Sequence, residues 1–370
     1  MRIPVTNLRP AIEATECLWR GHLAQLLARM QFILGEQVAG FEREFAKALG
    51  ARHAVGVGSG TAALEICLRD SGLARSRKEV LTTPLTAPFT GLAILAAGCK
   101  VKFADVSSET LLLDAEDAGN RASRRMGGIV PVHLYGQPCE LDSFASLART
   151  LRAVLVQDAC QAHGALHRSR PFTAFCPYVA YSFYPTKNLG CLGDGGAVLT
   201  DRAGVDRRLR MLRDGGRAGG HVSRVPGINS RLDEMQACYL RAFLPRLAGW
   251  NAHRQRIAGI YREVLADSLG VRLLSYPPGS VYHLYVVRAR RREQLRRYLA
   301  GHGIGTAVHY ATPLHLQPAF SDSGFKRGDL PQAERACRQV LSLPIWPYMP
   351  EGFAHEVAGR IRDFYQGPGR

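Results

Sequence analysis

The stretch Tyr181-Ser-Phe-Tyr-Pro-Thr-Lys-Asn-Leu-Gly-Cys-Leu-Gly-Asp-Gly-Gly196 decides how the rest of the chain is read. It holds Lys187, one of only six lysines (Lys47, Lys78, Lys100, Lys102, Lys187 and Lys326) among 48 basic residues. A lysine amine loses its proton when desolvated and forms a Schiff base with an aldehyde, which a guanidinium does not. Most lysines sit in surface turns. Lys187 instead follows an apolar, aromatic segment and precedes a glycine-rich one, the pattern of a buried strand running into a loop that backs onto a ligand. It is a nucleophile candidate.

Upstream, Gly56-Val-Gly-Ser-Gly-Thr61 follows an apolar run and opens a predicted helix, Ala62–Arg69. Backbone N–H groups at a helix N-terminus, glycines that let an anion approach and the Thr61 hydroxyl together make a phosphate cradle. The dinucleotide fingerprint does not apply, because the third glycine of G-x-G-x-x-G falls at Thr61. A glycine turn before a helix is also ordinary punctuation. In Val154-Leu-Val-Gln-Asp-Ala-Cys-Gln-Ala-His-Gly164, Asp158 follows buried strand residues, at the sheet edge where open α/β folds bind ligands. A buried carboxylate needs a cation. A protonated pyridine nitrogen is one such partner, and His163 is the alternative. Gly227-Ile-Asn-Ser-Arg-Leu-Asp-Glu-Met-Gln236 opens a long predicted helix, with Asn229 available as its cap. An anion cradle, a sheet-edge aspartate and a Schiff-base lysine form the minimal kit for pyridoxal phosphate (PLP), whose ring supplies an electron sink.

With 370 residues, 46% hydrophobic and 21% charged, the chain is long enough for a large core and two subdomains. Residues 10–50 read as helical. Apolar strands then alternate with helices: Ala54–Val57, a helix from Thr61, Val80–Thr83, a helix from about Thr90, Val101–Ala104, Gly128–Val132, Val154–Gln157, Ala180–Phe183 and Ala197–Thr200. The last two read as an antiparallel return. The expected fold is α/β: a large PLP-binding domain, residues 1–244, with a mostly parallel seven-stranded sheet flanked by helices, plus a smaller C-terminal α+β domain, residues 245–370. A long arginine-rich helix, roughly Asp233–Val264, joins them.

Nine scattered cysteines, odd in number and without a C-x-x-C pair, point to reduced thiols, with neither a disulfide framework nor a metal site. The start lacks the apolar core of a signal peptide, and Pro84 and Pro88 interrupt the uncharged run Val80–Cys99. No membrane span and a cytoplasmic location are therefore expected. The net charge is +17, and Arg288–Arg297 is the densest basic run. It has no nucleic-acid motif and no interleaved aromatics, so it reads as the solvated face of a helix and no nucleic-acid partner is expected. The general positive field favours capture of an anionic substrate.

In order along the chain, these blocks resemble the DegT/DnrJ/EryC1/StrS sugar aminotransferases of the fold-type I aspartate aminotransferase superfamily. The resemblance runs from Gly58-Ser-Gly-Thr-Ala-Ala-Leu64 through Val130-Pro-Val-His-Leu-Tyr-Gly136, Asp158–Gly164, Ser182–Gly190, Gly193-Asp-Gly-Gly196, Asn229–Gln236, Val281-Tyr-His-Leu-Tyr285 and Pro313-Leu-His-Leu-Gln317 to Val340-Leu-Ser-Leu-Pro344. It implies that Lys187 carries the cofactor and moves the proton. It further implies that Asp158 pairs the pyridinium, that Gln161 sits by the ring hydroxyl, and that Gly60, Thr61 and Ser182 hold the phosphate. The family asparagine matching Asn229 reaches the phosphate from the neighbouring subunit, which implies a homodimer with shared active sites. His283 and Tyr310 are the weaker candidates for substrate contacts.

Three residues depart from the family pattern. Ala87, in Thr86-Ala-Pro-Phe-Thr90, replaces the aromatic that stacks on the ring, so that either Phe89 substitutes or the ring is covered differently; Gly215 replaces the histidine of an Arg-Asn-His-Gly motif; Ser230 stands where an aromatic often follows the asparagine. The implied function is transfer of an amino group from L-glutamate or L-glutamine to a nucleotide-linked keto sugar, with PLP cycling through pyridoxamine phosphate (PMP). The product is an amino sugar for a secondary-metabolite or glycan pathway. A ketocyclitol aminotransferase of aminoglycoside biosynthesis shares every motif. A PLP/PMP-dependent sugar dehydratase would carry histidine in place of Lys187, and a non-catalytic regulator of the same fold would have lost part of the kit.

Overall fold

Apolar runs become strands wherever both faces can be covered. The computed structural model describes residues 2–73 and 79–366, so Lys78 lies outside it. Strands β1 (His53–Val57), β2 (Glu79–Thr82), β3 (Lys100–Phe103), β4 (Met126–Val130), β5 (Val154–Leu155), β6 (Gln157–Asp158), β7 (Val179–Ser182) and β8 (Gly196–Thr200) build two four-stranded sheets. One has the order β3-β2-β4-β5 and is parallel throughout. The other, β6-β7-β8-β1, pairs β6 with β7 in parallel and adds β8 and β1 antiparallel.

The two sheets share the segment 154–158. Val154 and Leu155 pair with β4, Gln157 and Asp158 pair with β7, and between them the Val156 N–H donates to Ile129 O at 3.0 Å. Asp158 also bridges Val132 in parallel, its N–H donating to Pro131 O at 3.0 Å and its carbonyl accepting the His133 N–H at 2.9 Å, so the two sheets are continuous through this segment. Because β8 is antiparallel to both its neighbours, β1 runs the same way as β7. The C-terminal ends of β1, β6 and β7, and of the parallel strands beyond them, therefore lie along one edge, the edge at which such sheets bind ligands.

Residues 10–50 form three helices, Arg9–Glu13, Glu16–Arg29 and Glu36–Ala48, rather than a continuous stretch. The break at 30–35 contains two residues of positive φ, Met30 at 53° and Leu34 at 50°. Glu234, only 1% exposed, explains how the chain restarts. Its carboxylate accepts the N–H groups of Gly35 at 2.7 Å, Gln37 at 2.8 Å and Val38 at 3.0 Å, capping the helix Glu36–Ala48 from a distant part of the sequence. Removing that charge with Glu234→Gln should cost about 1–3 kcal/mol of stability. A denaturant midpoint equal to that of the parent would show that the cap is dispensable. The buried side of this helix sets Phe41 and Phe45 edge-to-face against Tyr181 and Phe183, with ring centroids 5.2–5.3 Å apart, and so packs against β7.

The long helix expected over Asp233–Val264 is two, Glu234–Phe243 and Leu247–Leu265, separated by a 3-10 turn at Leu244–Arg246. Pro245 sits in that turn, where it lacks an N–H and crowds the preceding one. Beyond it, β9 (Val271–Leu273), β10 (Tyr285–Ala289) and β11 (Val340–Leu343) form an antiparallel sheet in the order β11-β10-β9. This sheet and the helices Leu247–Leu265, Arg292–Gly301 and Glu351–Gln366 enclose a separate core that includes Tyr261, Val287, Leu299, Trp346 and Ile361. Ile3 joins this core and bridges Ile304.

The arginine run is not one solvated helix face. Arg288 belongs to β10 and is buried, donating to Gln339 Oε1 at 2.9 Å and to Ser108 O at 3.1 Å, and only the later arginines lie on the helix Arg292–Gly301. Val80–Cys99 begins with β2 and contains the nine-residue helix Pro88–Ala96, and no described helix is long and apolar enough to cross a membrane. All nine cysteines are free thiols, most of them buried.

Candidate active site

Lys187 is placed by the way β7 ends. Phe183 N–H donates to Gly195 O at 2.7 Å and Phe183 O accepts from Cys191 N–H at 2.8 Å, closing residues 183–191 into a loop. Inside it the Lys187 N–H donates to Tyr184 O at 2.9 Å. The loop is tight enough that a Cβ on Gly190 would lie 2.4 Å from Pro185 O, so glycine is required there. The amine lines a cavity of about 750 Å³. Burial lowers its pKa, with the neighbouring Cys160 and Asp158 acting in the opposite direction.

Asp158, 4% exposed, borders the same cavity. Its Oδ2 accepts the Thr90 hydroxyl at 2.8 Å and its Oδ1 accepts the Cys160 N–H at 3.1 Å. No described Lys, Arg or His forms an ion pair with it. His163, the alternative partner, is packed instead on the rings of Tyr181 and Phe183, and burial drives its pKa down to about 3, so it is neutral. Asp158 is therefore a buried carboxylate held by neutral donors and facing a cavity, the arrangement that a protonated ring nitrogen would complete.

The helix Gly60–Asp70 opens onto the cavity with Gly60 and Thr61 in its lining. Ser59 caps the helix by accepting the Ala62 N–H at 3.1 Å, while the first N–H groups of any helix lack an intrahelical acceptor and suit an anion. A Cβ on Gly60 would meet Ser182 Cβ at 2.7 Å and Cys160 Sγ at 2.8 Å, so this glycine lets the helix end close onto β7 and Ser182. Gly60→Ala should cost about 1–3 kcal/mol through overpacking and weaken cofactor retention. Unchanged melting together with unchanged cofactor titration would contradict this close approach.

Gln161 meets Tyr310 across the cavity wall. Its Oε1 accepts the Tyr135 N–H at 2.8 Å and its Nε2 donates to Tyr310 Oη at 3.2 Å. Burial pushes the Tyr310 phenol up to about 12, so it stays protonated. His283 lies 3.3 Å through Nδ1 from Asn188 Oδ1, and burial together with the charges of Lys187 and Arg254 holds its pKa well below the usual range.

The structure thus brings Gly60, Thr61, Asp158, Gln161, Ser182, Lys187, His283 and Tyr310 to one cavity. Asn229 is not among its lining residues. It bridges Asp214 in a loop, and the cap position of the following helix belongs to Asp233, so the capping role expected for Asn229 is not found. Ala87 and Phe89 both line the cavity, with Phe89 58% exposed. Sequence reasoning missed Thr90, whose signal was its place in the Thr86–Thr90 block, and Arg254, which had none. The residues fit pyridoxal phosphate: an uncompensated buried carboxylate, an open helix N-terminus and a desolvated lysine share one space.

Comparison with known proteins agrees with this chemistry. The family model of the DegT/DnrJ/EryC1/StrS aminotransferase family matches residues 19–362. The dTDP-3-amino-3,4,6-trideoxy-alpha-D-glucose transaminase of Streptomyces venezuelae is 39% identical over 365 residues, covering 98% of this chain and 96% of that one. The crystal structure of S. venezuelae DesV in complex with a ketimine intermediate superposes with a TM-score of 0.96 at 39% identity, over 100% of both chains. Bacillus subtilis NtdA with bound cofactor PMP has a TM-score of 0.87 at 25% identity, over 95% of this chain and 82% of that one.

Proposed function

The chain belongs to the DegT/DnrJ/EryC1/StrS aminotransferase family and is a PLP-dependent aminotransferase, and from that premise we propose that it moves the amino group of L-glutamate or L-glutamine onto a nucleotide-linked keto sugar. The observation that carries the reading is the convergence of Lys187, Asp158, Gln161 and the Gly60–Thr61 helix end on one cavity. The S. venezuelae relative is named for a dTDP-linked amino sugar, and a net charge of +17 favours an anionic nucleotide substrate.

In this reading the Gly60 and Thr61 N–H groups, with the hydroxyls of Thr61 and Ser182, hold the cofactor phosphate. Asp158 would keep the ring nitrogen protonated, and Gln161 would be placed to bind the ring hydroxyl. When bound, the cofactor supplies an electron sink for the carbon next to the reacting nitrogen. Lys187 is the base: desolvation favours its neutral amine, which takes the proton from the donor's α-carbon and, in the second half-reaction, delivers one to the sugar carbon. His283 and Tyr310 face the ketone. We also propose a homodimer in which Asn229 serves the partner's site, a reading supported by its absence from its own cavity and by the exposed apolar side chains of Phe32, Ile33 and Met235. A monomer mass by light scattering would overturn it.

The test is the visible spectrum of the protein with PLP before and after addition of L-glutamate or L-glutamine. A yellow band should bleach toward the PMP spectrum and return when a nucleotide-linked keto sugar is added. A band that neither amino acid bleaches would overturn the donor assignment. Bleaching that no keto sugar reverses would overturn the acceptor.

A further inference from the structure

Arg254, on the helix Leu247–Leu265, is 2% exposed and lines the cavity beside His283, Leu284 and Ile345. Its hydrogen bonds all run from Nη1 to backbone carbonyls: Tyr282 at 3.3 Å, His283 at 3.2 Å and Ile345 at 3.3 Å, near the long limit for such bonds. Nε is buried without a partner, and no described residue accepts from Nη2. No described carboxylate pairs with Arg254, whereas the similarly buried Arg213 meets Glu42. Desolvation alone acts on its pKa, pulling it down to about 9, so the group remains a cation at neutral pH. A buried charge without a counter-ion is destabilising, and one that borders a cavity points to an anion supplied from outside.

The surroundings narrow that anion. Arg254 donates to the carbonyl of His283, and its charge acts on the His283 ring together with that of Lys187. Arg254 and Lys187 also border the same small recess below Pro185 and Asn188. Gly60 and Ser182 line the main cavity but not this recess, so the cation shares with the reacting amine a wall that the phosphate cradle does not. An amino acid presents a carboxylate on the very carbon that bears its reacting nitrogen, and the planar guanidinium fork matches a carboxylate.

We propose that Arg254 binds the α-carboxylate of the amino donor, so that this one side chain selects amino acids over simple amines. The proposal rests on the amino-acid donor put forward above. The test compares L-glutamate with 4-aminobutyrate, which keeps the amine and the distal carboxylate but lacks the α-carboxylate, as agents that bleach the cofactor-loaded enzyme. Arg254→Gln should lower the second-order rate for L-glutamate by about 10²-fold and leave that for 4-aminobutyrate within about 3-fold. Arg254→Lys, which keeps the charge without the fork, should fall between.

An equal fall for both amines would reduce Arg254 to a brace for the backbone at 282–283 and 345, and no fall would remove it from donor binding; either result overturns the proposal. Should the variants not fold, phenylglyoxal labelling of the wild-type holoenzyme decides. Mass mapping should show labelling at Arg254 that 2-oxoglutarate blocks. Labelling blocked by dTDP but not by 2-oxoglutarate would assign the residue to the nucleotide and overturn the proposal, as would labelling that neither blocks. A wild-type enzyme that L-glutamate and L-glutamine both fail to bleach would instead sink the donor assignment itself.

Discussion

Lys187→Ala should lower amino transfer by at least about 10⁴-fold, because it removes the cofactor tether and the base in a single change. The side chain makes no hydrogen bond to a described residue, and the loop around it is held by backbone pairs of Phe183 with Gly195 and Cys191, so the fold should survive. Borohydride reduction of the PLP-loaded protein followed by peptide mass mapping separates the two losses from misfolding. The parent should carry the label on the peptide containing Lys187; the variant should melt normally and carry none. Lys187→Arg, which retains a cation but neither nucleophilicity nor basicity at neutral pH, should be as inactive as the alanine variant. Substantial turnover in either variant would sink the assignment.

For Asp158→Asn the expected loss is about 10²–10³-fold in kcat, with little change in stability. The amide oxygen can still accept the Cys160 N–H in the place of Oδ1, and the amide NH2 in the place of Oδ2 can donate to the Thr90 hydroxyl, which accepts as readily as it donates, so the shape of the site is kept. What disappears is the negative charge that would keep a ring nitrogen protonated and thereby sustain the electron sink. An asparagine variant with parental kcat would mean that the buried carboxylate serves the fold alone. If melting fell sharply in parallel with activity, the result would point the same way.

Lys187 and Asp158 were legible in the sequence because each is chemically rare where it stands: a lysine in an arginine-rich chain, and an acid directly after an apolar strand. The alternation of strands and helices was legible for the same local reason, since burial on both faces imposes continuous apolar runs. Features set by contacts between distant residues were hidden. Nothing in Met30–Gly35 announces that the helix after it is capped by Glu234, and nothing in His163 shows that it packs on Tyr181 and Phe183 instead of meeting Asp158. Arg254 was invisible because one arginine among so many carries no signal until the fold buries it without a counter-ion. The break at Pro245 was written in the chain and needed only that the proline be given full weight.

The cap on the helix Glu36–Ala48 also bears on the order in which the chain acquires structure. The three N–H groups that Glu234 accepts lie 196 to 199 residues before it, so during synthesis this helix emerges long before its cap exists. At about 5–20 residues per second, the interval between the two is roughly 10–40 s, far longer than a helix takes to form or fray. For most of that period its apolar side, with Phe41 and Phe45, also lacks the Tyr181 and Phe183 rings it will cover. The nascent amino-terminal segment thus waits with apolar rings uncovered, the kind of surface on which aggregation starts and chaperones act.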